Sequence, residues 1–187
     1  LLDCCTTYGT QLFWPFDRQL ISFNNIHVIE PIYTLSLLIP LSIAFFSKEN
    51  TQKNLSLLYL AILLSMSYLG WTFFSKSIAR QAVIKNLKQQ EISYQQLLIT
   101  PTPFNSFLWK AIVQNDSIYH FGSDSILDQA PTMTFYKKRH RPELLTPIEN
   151  YCDVETMLRH CNGFPFVEGN EQEINIYAVK FGPAHYV

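Results

Sequence analysis

Asp3, His27 and Glu30 stand in an N-terminal stretch, residues 1–31, that is otherwise rich in apolar and aromatic side chains, including Leu1, Leu2 and Phe13-Trp14-Pro15-Phe16. Two carboxylates and an imidazole can hold a hard or borderline divalent ion, Zn²⁺ among them, and leave a position open for water. If Leu1 to Tyr8 form a helix end closed by Gly9, Asp3 and Thr7 lie one turn apart, so a carboxylate and a hydroxyl share a face. Glu30 immediately precedes Pro31, where a long apolar block begins. Acids at such a boundary are functional candidates, because an ionised carboxylate beside hydrocarbon needs a partner. The spacing also fits a plainer arrangement, with Asp3 as a helix-surface acid and Glu30 as an interfacial charge.

Two apolar blocks must position these groups. Between Pro31 and Phe74 the strongly charged side chains are Lys48, Glu49 and Lys53, all in one polar gap. The second block, Leu55 to Phe74, has the roughly 20 uncharged residues that cross about 30 Å of hydrocarbon. It ends in Tyr68, Trp71, Phe73 and Phe74, an aromatic belt, followed by Lys76 and Arg80. The first block, Pro31 to Phe46, is short for a span and contains Pro40, so it is expected to extend upstream through residues 26–29 or to bend at the proline. A membrane hairpin turning at Ser47 to Asn54 is the expected arrangement over residues 31–75. A buried helix pair in a soluble protein is the alternative. Ser65, Ser67 and Gly70 suit close helix packing in lipid.

Residues 76–90 continue the second span as a juxtamembrane helix, with Ile78, Ala82, Val83 and Leu87 on one face. Residues 91–187 alternate as expected of a small α+β domain with a mostly antiparallel sheet. Strands are expected at Ser93–Thr100, Phe107–Gln114, Ser117–Phe121, Met133–Lys138, Phe164–Glu168 and Glu173–Phe181, and one helix is expected to be capped by Asp153 and stopped by Asn162-Gly163.

The chain has 187 residues, net charge −1, 16% charged residues, 48% hydrophobic and 14% aromatic, against about 25% charged in a soluble domain. Such a composition excludes a disordered chain, and the near-neutral balance argues against a direct nucleic-acid binder. Lys76, Arg80, Lys85 and Lys88 outnumber Lys48 and Lys53, which places the C-terminal domain in the cytoplasm. Cys4, Cys5, Cys152 and Cys161 are then expected as reduced thiols. The run Lys137-Lys138-Arg139-His140-Arg141 reads as a solvated strand end or as a patch for anionic lipid headgroups.

The string Leu2 to Phe16, LDCCTTYGTQLFWPF, followed by Ile29-Glu30-Pro31 at the start of an apolar block, resembles the bacterial YdjM-type family of inner-membrane-associated, metal-dependent hydrolases. That family has an HxxxD helix running into D-x-x-T-x-Y-G-T, then an aromatic-Pro stretch and an acid-Pro pair. Asp3, Thr6, Thr7, Tyr8, Gly9, Thr10 and Pro15 stand at those places, and Glu30 stands where the family usually has Asp. Pro101-Thr-Pro-Phe-Asn105 and Trp109 are similar to the opening of the family's soluble region. The His of HxxxD would precede Leu1; together with the absence of an initial Met, this gives the expectation of an N-terminally truncated piece. The resemblance implies a multi-pass bacterial inner-membrane protein in which Asp3 and Glu30 bind a divalent metal. Glu30 completes the metal shell or acts as general base, and Thr7 and Tyr8 orient the ligands. It implies hydrolysis of a lipid or phosphoester among membrane lipids. The family label adds the LexA repressor, a cytoplasmic regulatory partner. The competing expectation is a non-catalytic, membrane-anchored protein whose α+β domain docks such a partner.

Overall fold

The computed structural model of the chain describes residues 2–47, 51–127, 133–148, 151–170 and 173–181. Pro31 opens helix α1 (Pro31–Phe46), as suits a residue with fixed φ and no N–H to leave unpaired. The helix does not extend upstream, since residues 26–29 are irregular. Helix α2 runs unbroken over Thr51–Gln89, so the juxtamembrane helix is a continuation of the long apolar block, as its pattern implies. Lys48 and Glu49 of the connecting gap lie outside the described residues.

Helices α1 and α2 pack as a hairpin. The seam on α1 comprises Tyr33, Ser36, Leu37, Pro40 and Ala44, at spacings of three and four, with Pro40 fully buried. On α2 one continuous stripe is buried, Ala61, Ser65, Thr72, Ser75, Ala79, Val83 and Asn86. Ser65 and Thr72 return their hydroxyls to Ile62 O (2.9 Å) and Leu69 O (2.8 Å), so these polar groups are satisfied within the helix. Ser67 and Gly70, expected in the packing, are exposed, and no atom lies within 4 Å of a Cβ built on Gly70. The remaining circumference, including Leu35, Leu38, Ile39, Ile43, Leu60, Ile62, Leu63 and Met66, points outward. Helices that are apolar all round and bury only a seam are built for a hydrocarbon surrounding. Among the described residues α2 alone is both long and apolar enough to cross a membrane. At about 1.5 Å per residue α1 measures about 24 Å, short of the roughly 30 Å of hydrocarbon.

Beyond Gln89 the chain forms a four-stranded antiparallel sheet in the order β1 (Gln96–Pro101), β2 (Leu108–Asn115), β3 (Ile118–Ser125), β4 (Tyr136–Arg139). Helix α3 (Cys152–Cys161) and a separate antiparallel pair, β5 (Pro165–Gly169) and β6 (Ile174–Ala178), follow. The helical part followed by an α+β domain is thus as expected. One sheet face carries Ile99, Trp109, Ala111 and Val113 against Ala79, Val83 and Leu87 of α2. The opposite face carries Ile112, Tyr119 and Phe121 against Phe166 and Val179 of the β5–β6 layer. The sheet is therefore sandwiched between the C-terminal part of α2 and the β5–β6 hairpin.

Two local expectations are corrected. Strand β3 runs through Gly122 rather than ending there; the glycine is needed because a Cβ would lie 2.8 Å from Met133 Sδ and 2.9 Å from Phe135 Cδ1. Asp153 is inside the first turn of α3 instead of capping it, the cap position being Tyr151, so its contribution is a negative charge at the helix N-terminus. The C-terminal stop is as expected, with Asn162 (φ 51°) and Gly163 (φ 88°) both left-handed.

Candidate functional site

The N-terminal segment begins with a 3-10 helix over Leu2–Cys5, not with a helix reaching Tyr8. Thr6 donates its hydroxyl to Asp3 O at 2.8 Å and accepts from Tyr8 N at 3.3 Å, a local bonding pattern that competes with helical continuation. Gly9 (φ 77°) turns the chain where a Cβ would meet Ile21 O at 2.9 Å, and Thr10 bridges Ile21. Asp3 and Thr7 consequently do not share a face. Asp3 lines a cavity of about 420 Å³, whereas Thr7 lines a separate cleft behind it.

That cavity is walled by Asp3, Thr6, Tyr8, His27, Glu30 and Tyr33 among others, so three of the four expected site residues, Asp3, Tyr8 and Glu30, converge on it with His27. Glu30 is only 3% exposed. Its Oε1 accepts a short hydrogen bond from the Tyr68 hydroxyl of α2, while Oε2 is buried with no partner among the described residues. Tyr68 also lies 3.0 Å from Ser106 Oγ. Ser106 O in turn accepts from Ser75 Oγ (2.6 Å) and Trp109 Nε1 (3.0 Å). A polar chain thus ties the acid at the start of α1 to the long helix and to the sheet domain.

The Pro101–Trp109 region is built to deliver Ser106. Asn105 Oδ1 accepts from Phe107 N (3.1 Å) and Leu108 N (2.8 Å), its Nδ2 donates to Thr102 Oγ1 (3.0 Å), and Phe104 takes a left-handed φ of 68°. Tyr68 and Ser106 are the site residues that spacing did not disclose. Tyr68 reads from sequence as one more aromatic of the interfacial belt, and Ser106 is an ordinary loop serine until α2 is laid beside it.

The depth of the cavity follows from its neighbours on α2. Phe23 packs tilted against Phe73 with ring centroids 6.2 Å apart, Lys76 Nζ donates to Phe23 O, and Tyr68 holds Glu30. The site lies beside residues 68–76, where the apolar run gives way to basic residues. His27 takes only a long bond, from Ile29 N to Nδ1 at 3.4 Å. Tyr8 rests its ring on Phe181 at 4.7 Å.

Among the described residues no three His, Cys, Asp or Glu side chains gather closely enough to hold a metal ion. A catalytic zinc takes three protein ligands. Asp3 and Glu30 both line this cavity, and Glu30 carries an orphaned buried oxygen. Cys4, Cys5, Cys152 and Cys161 are free, and burial pushes the Cys161 thiol up to about 11. The basic run is largely engaged: Lys138 pairs with Glu168 at 3.5 Å, Arg141 donates to Gly169 O at 3.0 Å, and His140 is buried.

Residues 1–79 match the model of the family described as YdjM inner membrane protein, the family that the N-terminal motif resembles. No curated protein and no solved structure matches the chain. The matched stretch comprises the cavity, α1 and the apolar part of α2, and with the outward apolar surface of α2 it makes the protein membrane-associated.

Proposed function

We propose, with the match of residues 1–79 to that inner-membrane family as premise, that the protein is a multi-pass inner-membrane hydrolase dependent on a divalent cation. Its substrate reaches the cavity from the bilayer, and its α+β domain lies in the cytoplasm. The observation that carries the reading is Glu30: an acid 3% exposed, anchored through one oxygen, with the other buried, unpartnered and part of a residue lining a cavity shared with Asp3. Burying a carboxylate oxygen without a partner costs several kcal/mol, about 1–3 even by mutational measures, which a cation or a bound water would offset.

Asp3 and Glu30 would hold the ion, which when bound supplies Lewis acidity to a substrate oxygen and lowers the pKa of an attacking water. Tyr68 fixes Glu30 Oε1 and so aims the other oxygen. Glu30 Oε2 is available either to the ion or, as general base, to the proton of that water. Metal content of the detergent-purified full chain distinguishes these roles. Loss of the ion in both Asp3→Ala and Glu30→Gln makes both residues ligands; retention in Glu30→Gln with loss of hydrolysis of a chromogenic phosphoester makes Glu30 the base. Equal metal content and equal hydrolysis in wild type and both variants would remove the site.

A second reading is favoured by the missing third ligand among the described residues. In it the chain is a membrane-anchored, non-catalytic protein whose α+β domain docks a cytoplasmic regulatory partner, and Glu30 serves only to join α1 to α2. That reading predicts no metal in the wild-type protein.

A further inference from the structure

Behind the main cavity, across His27, lies a narrow cleft of about 10 Å³ that brings together Thr7, His27, Thr100, Lys110 and Lys180. Thr100 and Lys110 are cross-strand partners of β1 and β2, so their side chains rise from the same sheet face, the one covered by the β5–β6 layer. Lys180 follows β6 in a short 3-10 helix, Val179–Phe181, and is 3% exposed. Its ammonium has only a marginal contact to Tyr8 O at 3.5 Å and lies 4.8 Å from the Phe181 ring. The two ion pairs among the described residues, Lys138–Glu168 and Arg159–Glu155, involve neither lysine. Cys161, the titratable neighbour of Lys180, stays a neutral thiol and supplies no counter-charge.

Buried cations are ordinarily paired. Here two lysines, Lys180 buried and Lys110 half-buried, line one cleft with two threonines and a histidine and with no carboxylate among its described lining residues, and burial lowers the affinity of both lysines for their protons. We propose that Lys110 and Lys180 with Thr7 and Thr100 form an anion site for a phosphoryl group. The cleft has room for about one oxygen atom, so one phosphoryl oxygen seats between the lysines. The rest of the group lies on the His27 side, in the cavity that Asp3 and Glu30 share. Two cations and hydroxyl donors suit a doubly charged, tetrahedral oxyanion better than a planar carboxylate. The assignment deepens the proposed hydrolase by making its substrate a phosphoester. It also gives Thr7 a role at the anion instead of beside Asp3.

The test is equilibrium binding of radiolabelled inorganic phosphate to the purified full chain. Wild type and Glu30→Gln should both bind; Lys110→Gln and Lys180→Gln should each weaken binding at least tenfold, and Lys110→Arg should restore most of it. Unchanged thermal unfolding of Lys110→Gln keeps lost binding distinct from lost folding. Displacement by glycerol phosphate points to a soluble phosphoester, and displacement only by phosphatidic acid in mixed micelles points to a lipid headgroup; either result supports the site. No binding by wild type, or equal binding by Lys110→Gln, overturns it. Because Glu30→Gln keeps the lysines, phosphate binding without metal or hydrolysis would leave this site standing while the hydrolase reading falls.

Discussion

Glu30 and His140 show the same constraint: a titratable side chain is buried with one atom satisfied and the other not. For Glu30 the satisfied atom depends on a single phenol. Tyr68→Phe therefore leaves a buried carboxylate with no donor, and the expected loss is about 1–3 kcal/mol, read as a lower midpoint of thermal unfolding in detergent. In the double variant with Glu30→Gln the losses should be clearly less than additive, because the two groups act on each other; simple additivity would mean that the bond contributes nothing. For His140, Nε2 lies 2.9 Å from the carbonyl of Asp116, which can only accept, so Nε2 carries the proton and Nδ1 is a bare, buried lone pair. Burial holds its pKa below the ordinary 6.5, outweighing the Asp116 bond and Glu143, and His120 is lowered likewise by burial and by Lys137. The unfolded chain then binds more protons than the native one below about pH 6.5. The stability contributed by the neutral imidazoles is full above that value and is lost as the pH falls through the depressed native pKa. Unfolding midpoints of the α+β signal should drop over that range, and His140→Gln should flatten the drop; a midpoint indifferent to pH there would contradict it.

At the scale of elements, packing density decides where residue patterns succeed. Gly122 lies mid-strand under Met133 and Phe135, so Gly122→Ala should cost about 1–3 kcal/mol as an overpacking change, measured by thermal unfolding, whereas Gly70→Ala on the open side of α2 should be neutral or slightly stabilising. Equal effects would refute the packing seen here. The same contrast explains what was legible beforehand. Strands β1 and β2 and the Asn162-Gly163 stop could be read because alternation and left-handed caps are local properties. The true end of β3 could not, since Gly122 looks like a terminator until Met133 is placed over it. The 3-10 start at Leu2 was hidden for a related reason: Thr6 takes a backbone carbonyl that a continuing helix would need. Asp3 and Glu30 were identifiable by charge against an apolar background. Tyr68, Ser106, Lys110 and Lys180 were not, because each gains meaning only from an element distant in sequence.

For the whole molecule, the contacts made by the N-terminal segment bear on topology. Residues before α1 touch the α+β domain directly: Tyr8 packs against Phe181, Lys180 reaches Tyr8 O, and Glu30 connects through Tyr68 to Ser106. Both ends of the helical hairpin therefore lie on one side. If α2 crosses the membrane, the chain has to cross a second time between Glu30 and Thr51, and α1 is the element available. Its length of about 24 Å then implies local thinning of the bilayer or interfacial seating of Phe45 and Phe46, both of which are widely exposed. Cys152, exposed on the α+β domain, and a Lys53→Cys variant at the hairpin turn mark the two sides. A membrane-impermeant maleimide should label Cys152 only in inverted inner-membrane vesicles and Lys53→Cys only in intact spheroplasts, with the buried Cys4 and Cys161 unreactive in both. Labelling of both positions from the same face would mean that the hairpin lies on the membrane without crossing it. Cys152 labelled only from outside would keep the hairpin but invert it, setting the cluster of Lys76, Arg80, Lys85 and Lys88 against the usual preference for basic residues in the cytoplasm.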